Sequence, residues 1–204
     1  MNQERRLGGI VLAGGKGERF RGRKQFCELK GRPLWEHVYD KVCAVVERDN
    51  VVVVGIDIPG GDTRTESVIR GLRELVRDTE RVIVAEAARP LVTGRQIREI
   101  LSDKSPSSSF VMPLVNTVIK RDGTYLNRKE LYELLTPQAF DYRLLREALE
   151  SGRYQDMTDE TRVMFEYHGI SPHLIETTEN LVKVTYPGDL VIVDKLMDTW
   201  STEE

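Results

Sequence analysis

Residues 8–26 read GGIVLAGGKGERFRGRKQF, and the order of residue types in this stretch decides the fold. The apolar run at 9–13, GIVLA, carries no polar alternation, which suits a central strand covered on both faces. Gly14, Gly15 and Gly17 follow at once, then Arg19, Arg21, Arg23 and Lys24. Ligands of open α/β sheets bind at the carboxyl ends of the strands, so a bare, basic segment leaving a strand is placed to meet an anion. The glycines let backbone pass close to a ligand and aim N–H groups at it, and Arg19 and Lys24 supply charge. Two common phosphate motifs do not fit. A dinucleotide fingerprint needs a third glycine where Phe20 stands, and no acidic residue closes a second strand. A P-loop needs Ser or Thr after its lysine, but Gly22 is followed by Arg23-Lys24-Gln25. The plain alternative is a mobile basic surface loop, because glycine loops alone are weak signals.

Further strands are expected at VVVVG (51–55), RVIVAEA (81–87) and FVMPLV (110–115). Between them lie helical patterns in PLWEHVYDKVCAVVERD, with Pro33 suited to a first turn, in RTESVIRGLRELVRD and in TGRQIREILSD. This alternation gives an α/β fold with a mostly parallel central sheet flanked by helices. The segment NTVIKRDGTYLNR (116–128) alternates around Asp122-Gly123, a hairpin signal. It reads as a projecting β-arm at about 115–137, followed by a short helix in KELYELL. SDKSPSSS (102–109) reads as a surface loop, and further strands are expected near 173–177 and 181–185, with a last helix from Pro187. Helices are also expected at 141–150 and about 159–168.

The chain has 204 residues, a net charge of −3, 40% hydrophobic and 31% charged residues. These values suit one domain, 1–204, with a real core and no overall pull toward nucleic acid or an anionic membrane. Cys27 and Cys43 form no CxxC and no disulfide framework, and the three histidines lack zinc spacing. The N-terminal apolar run is too short for a signal sequence or a membrane span, so a cytoplasmic location is expected.

A glycine-rich loop, an arginine and then a lysine resemble the nucleotidyltransferase signature. GGDTRTESVIRGL (60–72), AEAARPLV (85–92), NTVIKR (116–121), LNRKELYELLTPQAF (126–140), TDET (158–161) and VKVTYPGDL (182–190) come in the order found in 2-C-methyl-D-erythritol 4-phosphate cytidylyltransferases. The related ribitol-5-phosphate cytidylyltransferases share that order. The first forty residues also look like molybdenum-cofactor guanylyltransferases. The resemblance implies a Rossmann-like nucleotidyltransferase fold, a role in isoprenoid biosynthesis, and transfer of CMP from CTP to a phosphorylated polyol with release of pyrophosphate. A non-catalytic nucleotide-binding module on the same fold is the rival from another class.

Cytidylyl transfer brings an anionic phosphate up to an anionic triphosphate, so cations and backbone donors carry the catalysis. By resemblance, Ala13, Gly14, Gly15 and Gly17 wrap the CTP phosphates, while Arg19, Lys24 and Lys183 stabilise the reacting phosphorus. Gly61, Asp62 and Ser67 match cytosine-reading positions. Glu86 stands where the family usually has a magnesium-binding aspartate, one methylene shorter. Arg89, Thr117, Arg128 and Thr158 match positions that bind the acceptor, with the arm reaching a neighbouring subunit in a homodimer. Thr158 also reads as a helix N-cap in its own right. Further departures from the family pattern are a shortened stretch between Arg19 and Lys24, Ala85 for a histidine, Asn116 for an aspartate, and Asn180 three places before Lys183.

Overall fold

The run at 9–13 does receive cover on both faces. In the computed structural model, which describes residues 6–154, 157–179 and 181–200, β1 (Leu7–Leu12) leads into β2 (Glu28–Leu29) and β3 (Arg32–Pro33), a minimal antiparallel pair, and then α1 (Leu34–Cys43). Next come β4 (Val51–Val54), α2 (Arg64–Glu74), β5 (Arg81–Glu86), α3 (Gly94–Ser102) and β6 (Ser107–Pro113). The arm hairpin is β7 (Val118–Ile119) and β8 (Tyr125–Leu126). After it come β9 (Tyr132–Asp141), α4 (Tyr142–Glu150), α5 (Glu160–His168), β10 (His173–Glu176) and α6 (Pro187–Trp200). Among the described residues, no helix is long and apolar enough to cross a membrane.

Six strands form one sheet in the order β10-β6-β9-β5-β1-β4. The β1–β4, β1–β5 and β10–β6 pairs are parallel, and β9 alone runs against its neighbours β5 and β6. Successive side chains on a strand point to opposite faces, and the core divides accordingly. Val11, Val53, Ile83 and Ala85 pack with α1 and α3 residues such as Val38, Val42, Ile97 and Ile100. Ile10, Val52, Val54, Val82 and Val84 pack with Val68 and Leu72 of α2, Leu145 of α4 and Met164 of α5. A third, smaller cluster joins Phe20, Leu29, Leu34, Leu91, Val184 and Val193, and so fastens the segment after β1 to α6.

Three sequence expectations change. KELYELL is not helical: a 3-10 turn at Arg128–Glu130 gives way to β9, whose C-terminal end fills a slot between β5 and β6. Its Leu- and Glu-rich composition favours a helix locally, but pairing within the sheet overrides that propensity. Of SDKSPSSS, 103–106 do form a loop, but the last three serines do not. Ser107, Ser108 and Ser109 lie fully buried in β6. Ser109 donates to the Leu135 carbonyl at 3.0 Å and Ser108 to Asp103 at 2.7 Å, so two of the three hydroxyls are satisfied within the protein. Residues 181–185 form no ladder, although Val184 N–H donates to the Ala88 carbonyl at 2.8 Å. The hairpin turn at Asp122-Gly123 is present, with Gly123 at φ +90° where a glycine is favoured. On the arm, Tyr125 and Ile119 are exposed, Tyr125 by 73%.

Asp103, just past α3, knots this end of the sheet together. It accepts from Ser108 Oγ and from the Ser105 N–H at 2.8 Å, and lies 2.7 Å from His173 Nδ1 on the edge strand β10. Burial alone would raise the carboxyl's pKa, but the Ser108, Ser105 and His173 bonds outweigh it and bring it down to about 2. A depressed carboxyl pKa adds stability that is complete above the unfolded-state value and disappears as pH falls through the folded one. Asp103→Ala is therefore expected to cost about 2 kcal/mol near neutral pH in urea unfolding. The difference from the parent should close as the pH falls from about 4 toward about 2.

Candidate active site

The candidate site forms where β1 ends. Ala13 N–H donates to the Val54 carbonyl at 2.8 Å, holding the strand's exit against β4. The backbone then passes so close to the β4–α2 connection that a Cβ on Gly55, at φ +103°, would lie 2.5 Å from Gly14 backbone atoms. Gly17, at φ +67°, faces the Gly22 carbonyl oxygen, which a Cβ there would meet at 1.9 Å. No larger residue can close this loop without moving it. Gly22 N–H completes the closure by donating to Gly17 at 3.2 Å, and Phe20, 9% exposed, docks in the third apolar cluster. The segment is thus a tethered loop, with Gly15 facing open space.

The opposite wall is the start of α2. Thr63 caps the helix by accepting from Glu66 N–H at 3.1 Å. Ser67 Oγ accepts from Gly61 N–H at 3.0 Å and donates to the Thr63 carbonyl at 3.0 Å, while Asp62 N–H donates to Glu66 at 2.7 Å. Glu86, the last residue of β5, lies at the base, and residues 181–185 bring Lys183 over it. The open cleft between them measures about 600 Å³. Ala13, Gly14, Gly15, Gly17, Arg19 and Lys24 line one side of it, Gly61, Asp62 and Ser67 another, and Glu86 and Lys183 complete it. Lys24 Nζ donates to the Val184 carbonyl at 2.6 Å, so two lysines from opposite ends of the chain share one site.

Charge in the cleft is tightly coupled. Lys183 Nζ lies 2.5 Å from Glu86 Oε2, and Arg64 Nη1 donates to Glu86 Oε1. Arg64 also binds Glu160 through Nε, at 3.1 and 3.2 Å, and through Nη2 at 2.8 Å. Burial pushes the Glu86 carboxyl's pKa up, but Arg64 and Lys183 overcome it and hold it at about 2. Burial lowers the Lys24 pKa below the usual lysine range, and the Lys183 and Arg19 cations push the same way against Glu86.

The four expected acceptor contacts do not line this cleft. Arg89 is 7% exposed and donates to Thr136 Oγ1 at 3.1 Å and to the Leu181 carbonyl, tying β9 to the segment that carries Lys183. Thr117 is exposed beside the arm. Arg128, exposed, donates to the Val115 carbonyl and lines a separate hollow of about 410 Å³ with Lys129 and Tyr132. Thr158 is exposed, and the cap of α5 is its neighbour Asp159, which accepts from Thr161 N–H at 2.9 Å. Asn180 lies outside the described residues. Sequence reasoning passed over Arg64 and Glu160. Their one signal was position, Arg64 opening α2 directly after its Thr63 cap and Glu160 opening α5 after Asp159.

Among the described residues, no group of three or more His, Cys, Asp or Glu side chains could hold a metal by itself. Glu86 Oε2 is nevertheless a buried carboxylate oxygen whose close partner is a single mobile cation, the Lys183 ammonium. One hard oxygen ligand of this kind fits a magnesium ion that takes its other ligands from phosphates and water.

Comparison with known proteins places the chain. A family model described as 2-C-methyl-D-erythritol 4-phosphate cytidylyltransferase matches residues 56–199. A second, described as a MobA-like NTP transferase domain, matches 9–64, from β1 and the glycine loop to the first residue of α2. The chloroplastic 2-C-methyl-D-erythritol 4-phosphate cytidylyltransferase of rice is 30% identical over 96% of this chain and 76% of its own. The Azoarcus protein of the same name is 32% identical, with 93% of each chain covered. Among solved structures, the bifunctional IspDF of Campylobacter jejuni superposes with a TM-score of 0.79 at 27% identity, over 91% of this chain and 53% of that one. The 4-diphosphocytidyl-2C-methyl-D-erythritol synthase of Anaerococcus prevotii superposes with a TM-score of 0.80 over 96% of this chain and all of its own, and at 22% identity it speaks for the fold. With glycine loop, α2 start, Glu86 and Lys183 around one cleft and these matches running nearly end to end, the chain belongs to the 2-C-methyl-D-erythritol 4-phosphate cytidylyltransferase family.

Proposed function

We propose that this protein transfers CMP from CTP to 2-C-methyl-D-erythritol 4-phosphate and releases pyrophosphate. The observation that carries the reading is the meeting of the glycine loop, Lys24 and Lys183 in one cleft, in a chain of this family. A phosphate oxygen of the acceptor forms a bond to the α-phosphorus of CTP, and the bond from that phosphorus to the bridging oxygen breaks, the electron pair leaving with pyrophosphate. The nucleophile is already anionic, so no general base is required. The barrier lies in approach of like charges and in the charge spread over the transferring group, which fixed cations and N–H donors stabilise.

In this reading Ala13 to Gly17 hold the triphosphate through backbone groups, with Arg19 and Lys24 on its oxygens. Lys183 leaves Glu86 for the reacting phosphate, and Glu86 Oε2 serves magnesium. When bound, that ion neutralises charge on the phosphates. Gly61, Asp62 and Ser67 read the base. The Ser67 hydroxyl proton is directed to the Thr63 carbonyl, which leaves its oxygen able to accept from the exocyclic amine of cytosine and poorly able to donate to the carbonyl of uracil.

Thr117, Arg128 and Thr158 belong, on this proposal, to an acceptor site completed between two copies of the chain. The exposed Val115, Ile119 and Tyr125 of the arm region support a homodimer by giving it an apolar surface to bury. Arg89, enclosed between Thr136 and Leu181, acts on the acceptor only through the placement of Lys183.

The test is pyrophosphate release from CTP and magnesium with methylerythritol, ribitol, xylitol or inositol phosphates. Methylerythritol phosphate should be turned over best. A marked preference for ribitol phosphate would overturn the acceptor, and no release with any of them would overturn the reaction. Lys24→Ala should lower kcat by about a hundredfold or more, as removal of a transition-state donor does, with little change in melting temperature. Arg128→Ala should also be nearly inactive alone. Mixed and reassembled with Lys24→Ala, it should regain activity, because one site of each mixed dimer would be intact.

A further inference from the structure

Arg64 has no role in the chemistry just proposed, yet it is the most heavily engaged charge in the cleft. It is the first residue of α2, and its side chain is 20% exposed at the cleft wall. One face of the guanidinium is taken up by Glu160, through three hydrogen bonds between 2.8 and 3.2 Å. The remaining Nη1 donates to Glu86 Oε1. A guanidinium is planar and its donors are fixed relative to one another. Clamping two of its nitrogens on Glu160 therefore sets the direction of the third.

Glu160 makes little sense as a stabilising residue on its own. Its side chain is 1% exposed at the start of α5, and a largely buried ion pair contributes little net stability, since desolvation consumes the attraction. What the pair does supply is position. Glu86 is a long carboxylate with three side-chain torsions, and its two oxygens are treated differently. Oε1 is held by Arg64, whose direction Glu160 fixes, whereas Oε2 meets only the Lys183 ammonium, 2.5 Å away, from a segment with no regular structure.

We propose that Arg64, anchored by Glu160, is a positioning residue that holds Glu86 by one oxygen, so that the other faces the metal on the nucleotide once Lys183 has moved to the phosphate. The inference rests on the nucleotidyl-transfer reading, in which Glu86 faces a cation carried by the triphosphate. A single presented oxygen matches magnesium, which demands near-octahedral geometry and takes one carboxylate beside phosphates and water. Larger cations such as calcium accept both oxygens of one carboxylate. Partners that orient a metal ligand in this manner matter nearly as much as the ligand itself.

The experiment measures the affinity for CTP by calorimetry on the full chain, once in EDTA and once in saturating magnesium. The ratio of the two isolates the metal's contribution. Arg64→Met should reduce that ratio by about tenfold or more while moving the affinity in EDTA less than about threefold, a split that general loss of structure would not produce. Arg64→Met alone leaves Glu160 buried without a partner and should lower the melting temperature. The double variant Arg64→Met/Glu160→Leu removes both charges and should recover the melting temperature without recovering the ratio. A ratio equal to the parent's in both variants, or restored in the double variant, would overturn the inference. So would a parent protein whose CTP affinity ignores magnesium. A parent that shows the metal-dependent ratio but releases no pyrophosphate with any acceptor would instead sink the proposed reaction, with the role of Arg64 still read from the ratio.

Discussion

Five cations, Lys16, Arg19, Lys24, Arg64 and Lys183, line a cleft about 600 Å³ in volume, and the carboxylate of Glu86 pairs with two of them, Arg64 and Lys183. Two unit charges 4 Å apart interact by about 4 kcal/mol at the effective dielectric of a protein surface, so this many like charges in one cleft repel strongly. Glu86 meets Arg64 on one oxygen and Lys183 on the other, and Lys24 falls back on a backbone carbonyl. Burial lowers the Lys24 pKa most, and repulsion from Lys183 and Arg19 adds to it. On the proposed reaction, the triphosphate of CTP would enter among Arg19, Lys24 and Lys183 and would draw Lys183 from Glu86.

The fold serves this arrangement by bringing three distant segments to one end of the sheet. β1 and β5 are adjacent and parallel, so the glycine loop and Glu86 leave the sheet side by side. The third apolar cluster then sets Phe20 against Val184 and Val193, which draws the glycine loop and the segment bearing Lys183 together. Burying side chains of this size is worth about 1.5–3 kcal/mol each, enough to hold a loop whose own glycines favour disorder.

Much of this was legible in the sequence where local chemistry is unambiguous. The β-branched runs of β1, β4 and β5 read as strands covered on both faces, although β4 lies at the sheet's edge rather than in its centre, and Gly17 lies where backbone geometry admits no side chain. The position of Lys183 was not legible from residues alone, since nothing local marks a lysine that reaches Glu86 from a segment with no regular structure. The family resemblance supplied it, as it supplied Gly61, Asp62 and Ser67. β9 was missed because its composition suits a helix and only its neighbours make it a strand. Ser107 to Ser109 were misread because buried serines look like loop serines until their partners, Asp103 and the Leu135 carbonyl, are in place. The enclosure of Arg89 was illegible for the same reason, its partners Thr136 and Leu181 lying 47 and 92 residues away.

β9 joins two very different mechanical environments. From Gln138 to Phe140 it is paired with β5 on one edge and with β6 on the other. From Tyr132 to Leu134 it is exposed and runs on from the hairpin. A pull on the hairpin would therefore reach the sheet through β6 and β9 together, which pair with each other from Pro113 and Tyr132 inward.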